Sequence, residues 1–441
     1  MTDVPKIVTD LPGPQAKALI DAEVRVASPS LIKAYPLAVE RAHGIIVEDV
    51  DGNRFMDFMS GIATTITGHC HPDVVKAIQD QAERLIHICG TDFYYSPYTR
   101  LCERLADLGP GQKDWHVFLG NSGAEAVEAA IKLARHHTRR QYIIAFHGAF
   151  HGRTCGAVSL TASKIKQRAG FSPLLPGVVH MPYGYCYRCV YNRTYPDCDV
   201  YCVEHWRDTI FKTTLSPDEV AAVVVEPIQG EGGHIVPPAE YLPRLRKLCD
   251  DYGILLVADE IQCGMGRTGK FLGLEYSGVE PDIITLGKGL GSGMPISAIM
   301  AREKTMTWPP GSHGSTFGGN PVACAAALAT LDLVLGGLME NAVRTGEYLK
   351  EKMLTLQSRH AVIGDVRGKG LMLAMEFVSD QKKKTPTPQL AHAFVQGCFH
   401  KGLLVLDCGE SSVRLAPPLI VTRQDVDTAV EIIERVLSES D

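Results

Sequence analysis

The chain has 441 residues, 45% of them hydrophobic and 21% charged, with a formal net charge of −6. That is an ordinary balance for a soluble globular protein, and the length predicts two domains rather than one small core. With a mildly negative charge and no long basic run, nucleic acid and anionic membrane surfaces are not expected as partners. The first residues, MTDVPKIVTDLPGPQAK, lack the apolar core of a secretory signal. No uninterrupted apolar stretch reaches the roughly 20 residues of a membrane span, so a cytoplasmic location is expected.

In chain order, residues 1–30 read as loosely structured. IIVEDV and RFMDF flank Asp51-Gly52-Asn53 and predict a β-hairpin. GHCHP at 68–72 is a turn, followed by a helix from about Asp73 to Leu85. Apolar strand candidates then alternate with helical patterns. The strands are Trp115–Leu119, Tyr142–Phe146, Ala221–Glu226, Ile254–Asp259, Ile283–Leu286 and Ile296–Met300. The helices include Ala124–His136 and Tyr241–Tyr252. Near-continuous apolar strands alternating with helices predict an α/β fold with a parallel or mostly parallel sheet covered on both faces. A long helix begins near Pro321 and breaks at Gly336-Gly337. Shorter mixed elements follow, with KKKTPTP at 382–388 as an exposed loop. The expected division is 1–65 as an N-terminal segment packing with a small domain, 66–335 as the large domain, and 336–441 as the small α+β domain.

The chemistry concentrates at strand ends, where open parallel sheets bind ligands. Ile283–Leu286 delivers Lys288 between two glycines, and ILLVA ends in Asp259. An amine in a low-dielectric pocket has its pKa depressed and becomes a usable nucleophile and base. A lysine to form a Schiff base, and an acid to keep a pyridine nitrogen protonated, are what pyridoxal phosphate requires. Read alone, Asp259 also suits a cap for the next helix. Gln262, one turn further on, would place an amide donor near the ring oxygen. Asn121-Ser122-Gly123-Ala124-Glu125 opens a helix, with Ser122 as its N-cap; a helix start is also a ready phosphate site. Phe150, in Phe150-His151-Gly152-Arg153, suits either an aromatic stacked on a cofactor or a core residue. Arg153 and Arg414 are candidates for gripping substrate carboxylates. Glu226 and Glu231, in EPIQGEGG, either face a pocket or pair within their loop.

Thirteen cysteines are present, four of them within 182–202, PYGYCYRCVYNRTYPDCDVYC. The C-x2-C-x8-C-x3-C spacing of Cys186, Cys189, Cys198 and Cys202 is compatible with a tetrahedral metal site, with two disulfides, or with free thiols in a tyrosine-rich loop.

Together these motifs closely resemble the class III (ω-amino-acid) aminotransferases of the fold type I pyridoxal-phosphate enzymes. The resemblance runs from DVDGNRFMDFMSGIATTITGHCHP to SVRLAPPLIV, and its most specific part is VADEIQCGMGRTGKF followed by PDIITLGKGLGSGMPISA. It implies that Lys288 bonds the cofactor, Asp259 holds the pyridine nitrogen and Gln262 the ring oxygen. Phe150 would stack on the ring with His151 beside it, and Ser122, Gly123 and Ala124 would hold the phosphate. Thr316, in GSTFGGNP, would reach the phosphate of the neighbouring subunit, implying a homodimer with shared sites, or a tetramer of such dimers. In the 4-aminobutyrate branch the matching Arg153 holds the ω-amino substrate's carboxylate and Arg414 the 2-oxo acid's. The acid matching Glu231 pairs with Arg414 between the two. No metal is assigned to the site.

The resemblance therefore implies amino transfer from a 4-aminobutyrate-like donor to a 2-oxo acid such as 2-oxoglutarate. Competing readings are a racemase or epimerase of the same family, the decarboxylating dialkylglycine branch, and a non-catalytic metal-binding interaction protein on the same fold. Retention of the QGEGG glutamate disfavours the decarboxylating branch. Retention of Lys288, Asp259 and Gln262 together disfavours the non-catalytic one. The cysteine segment is longer than the ordinary family pattern and leaves the substrate open.

Overall fold

The computed structural model describes residues 4–439. They form two compact units: Asp73–Met339, and a second unit made of the residues through Pro72 together with those from Glu340 onward.

The second unit begins with a helix, Pro14–Val26, where a loosely structured segment was expected. Its sequence carries little amphipathic signal, and only Ala16 is buried. A tertiary contact holds it: Asp51, from the hairpin turn, accepts the N–H groups of Gln15 at 3.0 Å and Ala16 at 2.8 Å. These donors have no partner inside a helix. Gly13 permits this approach, since a Cβ there would lie 2.4 Å from the Asp51 carboxylate. Next come β1 (Val39–His43), β2 (Ile46–Asp49) and β3 (Arg54–Asp57). The last two form the expected hairpin, in the register Ile46 to Met56 and Glu48 to Arg54.

The larger unit contains a seven-stranded sheet: β4 (Trp115–Gly120), β5 (Tyr142–Phe146), β6 (Val178–Met181), β7 (Val220–Val225), β8 (Leu255–Asp259), β9 (Ile283–Leu286) and β10 (Ser297–Arg302). Their order across the sheet is β4-β10-β9-β8-β7-β5-β6. β10 alone runs antiparallel to its neighbours, so the other six all point one way. Successive side chains on a strand face opposite sides of a sheet. Ile144, Val223, Val225, Leu256 and Ala258 accordingly pack against Tyr241, Leu245 and Leu248 of the helix Tyr241–Tyr252. Ile143, Ala145, Ala222, Val224 and Val257 pack on the other side against Ala126, Ala130 and Leu133 of the helix Gly123–Thr138. Burial on both faces explains why the strands read as unbroken apolar runs; each fully buried aliphatic side chain contributes about 1.5–3 kcal/mol.

The run Pro321–Arg359 is long and apolar enough to cross a membrane by length and composition alone. Its backbone breaks at Gly337, where φ is +132°, and its first part, Pro321–Leu333, is mostly buried. These are the features of a core helix. The second unit is completed by β11 (Ile363–Lys369), β12 (Met372–Asp380), β13 (Thr385–Pro386), β14 (Leu403–Leu404), β15 (Leu406–Cys408) and β16 (Ser412–Leu415). β14 adds to β3 in parallel, and β11-β12-β16-β15 form an antiparallel sheet. The expected loop at 382–388 is partly ordered, as β13 pairs with β12 and a helix starts at Pro388.

Replacing Asp51 by Ala removes the tertiary cap. Hydrogen exchange across Pro14–Val26 should accelerate, with a loss of about 0.5–2 kcal/mol in local stability; unchanged exchange there would show that the cap is not what holds the helix.

Candidate functional site

Because β4, β5, β7, β8 and β9 point the same way, the segments leaving their C-terminal ends converge. Together they line a cavity of about 160 Å³. The start of the helix after β4 contributes Gly123 and Ala124. Phe150, His151 and Gly152 follow β5, Glu226 follows β7, Asp259, Ile261 and Gln262 close β8, and Lys288 follows β9.

Asp259 is the floor of this cavity. Its Oδ1 accepts the Ile261 N–H at 3.1 Å and the Thr285 hydroxyl at 3.0 Å, while Oδ2 lies 2.6 Å from His151 Nδ1. The Asp259, His151 and Thr285 side chains are all buried. Burial drives the His151 imidazole toward its neutral form, but the hydrogen bond and charge of Asp259 outweigh it, and the net direction of its pKa is up. Glu226, 5% exposed, accepts the N–H groups of Phe150 at 3.2 Å and Gly230 at 3.0 Å. Burial pushes its carboxyl up to about 7; the His151 charge opposes the shift and Asp259 adds to it.

Backbone geometry is specialised here. Lys288 has φ of +40°, uncommon for a residue with a side chain. Gly152 has φ of +134°, and a Cβ there would sit 2.8 Å from that of Ala124, so only glycine fits between the helix start and the turn after β5.

Eight residues singled out from sequence therefore meet at one cavity: Gly123, Ala124, Phe150, His151, Glu226, Asp259, Gln262 and Lys288. The others stand elsewhere. Ser122 caps the helix Gly123–Thr138, its hydroxyl accepting the Glu125 N–H at 3.3 Å. Arg153 is exposed, with its guanidinium 5.7 Å from the centre of the Phe150 ring. Glu231 carries an ion pair with Lys164 at 3.2 Å, a partner with no sequence signature. Thr316 is exposed on the turn before Pro321, and Arg414 is buried on β16 of the other unit. Thr285 escaped the sequence reading, although the register of β9 against β8 places it directly opposite Asp259.

The cysteine segment forms its own small cavity of about 20 Å³, lined by Cys186, Cys189, Cys198 and Cys202 with Tyr183, Tyr191 and Tyr201. All thirteen cysteines are free thiols, which removes the disulfide alternative. Among the described residues no group of three or more His, Cys, Asp or Glu is placed to hold a metal ion. Burial, reinforced by the neighbouring thiols, pushes Cys186 up to about 11 and Cys202 up to about 12.

Residues 29–437 match the family described as aminotransferase class-III. The chain is 39% identical to an alanine/serine racemase from Pyrococcus horikoshii, over all of this chain and 94% of that one. It is 38% identical to the 4-aminobutyrate aminotransferase GabT of Escherichia coli, over 92% and 94% of the two chains. Among solved structures, an amine transaminase from an uncultivated Pseudomonas species in its PLP-bound form gives a TM-score of 0.87 at 32% identity, covering 94% of this chain and 98% of that one.

The residues present fit pyridoxal phosphate. The cavity joins an amine, a carboxylate, an aromatic ring and the N–H groups of a helix start. His151 Nε2 is buried there without a hydrogen-bond partner among the described residues.

A histidine whose folded pKa is raised contributes stability that is complete below its ordinary value of 6.5 and lost as pH rises through the folded value. The melting-temperature gap between wild type and His151→Gln should therefore be largest near pH 6 and narrow toward pH 9. A gap that widens with pH would contradict the assigned direction.

Proposed function

The chain belongs to the aminotransferase class-III family and works with pyridoxal phosphate, and on that premise we propose that it moves the amino group of a 4-aminobutyrate-like ω-amino acid to a 2-oxo acid such as 2-oxoglutarate. The observation carrying this reading is the placement of Arg153 beside Phe150. Phe150 and Lys288 line the same cavity, so a positive charge stands beside one of its wall residues. A substrate with its carboxylate several carbons from its amine meets that arrangement.

When bound, pyridoxal phosphate supplies a carbonyl that accepts amines and an electron sink for charge developing on the substrate carbon. Lys288 Nζ removes the proton from the amine-bearing carbon and delivers it elsewhere in the same pocket. Asp259, braced by Thr285 and His151, would hold the protonated ring nitrogen through its charge. Gln262 would donate to the ring oxygen, Phe150 would stack on the ring, and the backbone at Ser122, Gly123 and Ala124 would hold the phosphate. Arg414 is the residue proposed to bind the 2-oxo acid's carboxylate. A cytoplasmic homodimer, with Thr316 serving the neighbouring subunit, belongs to the same proposal. Ile86, Phe93, Tyr94 and Phe317, all in the larger unit, are exposed apolar side chains that a second copy would cover.

The second reading is an amino-acid racemase or epimerase, favoured by the 39% identity to the alanine/serine racemase. It differs only in where the proton is returned.

A half-reaction screen separates the two. Incubated with 4-aminobutyrate and no oxo acid, the holoenzyme should lose its absorbance near 400 nm and recover it on adding 2-oxoglutarate. Inversion of alanine or serine without any oxo acid would instead establish the racemase. Lys288→Ala should lower turnover by more than roughly 10²-fold and abolish the band. Arg153→Ala should raise KM for 4-aminobutyrate at least about tenfold while leaving turnover of α-amino acids near wild type; an equal effect on both would deny Arg153 its role.

A further inference from the structure

Glu226 is the one buried acid of the cavity with no part in the chemistry above. Its two carboxylate oxygens are divided between two walls: Oε2 accepts the N–H of Phe150, and Oε1 accepts the N–H of Gly230. Phe150 begins the turn that carries His151, and Gly230 immediately precedes Glu231.

We propose that Glu226 is a two-armed positioning residue, whose ionised carboxylate ties the ring-facing turn at Phe150–His151 to the substrate-facing turn at Gly230–Glu231, and whose protonation releases one arm. The argument is stereochemical. The two N–H donors approach different oxygens, and only in the ionised carboxylate are both strong, charge-assisted acceptors. In the carboxylic acid one oxygen carries the proton and becomes a much poorer acceptor, so the N–H pointed at it loses most of its bond. Losing either bond leaves a donor without its partner in a buried place, which is unfavourable.

The surroundings put this change in a useful range. Within the cavity Glu226 shares space with His151, Asp259 and Lys288. On its other sides its charge is felt by Tyr183 and Cys263, both held neutral by burial. The Tyr183 hydroxyl donates to the Glu226 carbonyl oxygen at 2.9 Å and to that of Pro227 at 3.1 Å, so the main chain is fixed while the side chain titrates. Burial sets the carboxyl near neutrality, with His151 and Asp259 acting in opposite directions. The arms are engaged above that point, and one is released below it.

The inference is read from the pocket's own groups and not from the amino donor, so a negative 4-aminobutyrate assay leaves it standing. The direct test is amide hydrogen exchange at Phe150 and Gly230 in the wild-type protein, with and without pyridoxal phosphate, from about pH 5.5 to about pH 8.5. After correction for intrinsic rates, protection of one of these amides should fall at least about tenfold as pH drops through neutrality. In Glu226→Gln, which has one acceptor oxygen at every pH, one of the two amides should be unprotected throughout the range. If Glu226→Gln does not fold, Glu226→Asp, too short to span both donors, serves with the same readouts. The proposal would be overturned by pH-independent protection of both amides in the wild type, or by full protection of both in Glu226→Gln.

Discussion

The site depends on how the Asp259 carboxylate is saturated. It is buried, and charge in such a place persists only when each oxygen is supplied with donors. Thr285 and the Ile261 amide supply one oxygen and His151 the other. Those partners come from three different segments, so the same bonds fix the pairing of β8 with β9, the turn after β5 and the first residues beyond β8. A ring nitrogen bound at this carboxylate, as proposed, would meet a network already built. The preference of the buried His151 for its charged form has the same origin.

The second organising fact is strand direction. Chemistry carried on the ends of buried strands is held by the core itself, since β5, β7 and β8 are packed on both faces. The cysteine-lined segment joins this frame through Tyr183. That side chain borders the thiol cavity and also bonds the main chain of Glu226 and Pro227. Through this one side chain the cysteine-lined segment is joined to the loop that also bears Glu231.

Much of the large unit was legible in the sequence because burial on both faces leaves unbroken apolar runs. Tyr142–Phe146 and Ile283–Leu286 were bounded to the residue. Strand direction was not legible: nothing in SAIMAR marks β10 as antiparallel, because a strand's composition does not depend on its orientation. The helix Pro14–Val26 was missed because its support is a distant carboxylate and not its own pattern. At the site, the grouping of Lys288, Asp259 and Gln262 in one cavity was legible because residues that leave the ends of parallel strands converge. Thr285 and Lys164 could not, since their roles arise from pairing register and from folding of the chain. The cysteine spacing admitted metal, disulfide and free thiols alike; only the positions of the sulfur atoms separate such cases.

The discontinuity of the smaller unit has a consequence for synthesis. Residues 54–57 take residues 403–404 as their parallel neighbour, and Phe55 stacks on Phe399 at 5.3 Å. On the ribosome the early segment emerges long before that neighbour, whereas every strand of the seven-stranded sheet is available once residue 302 has been made. The large unit can thus assemble while translation continues, and the first seventy or so residues must wait for the last hundred, closing a long loop of the kind that slows folding.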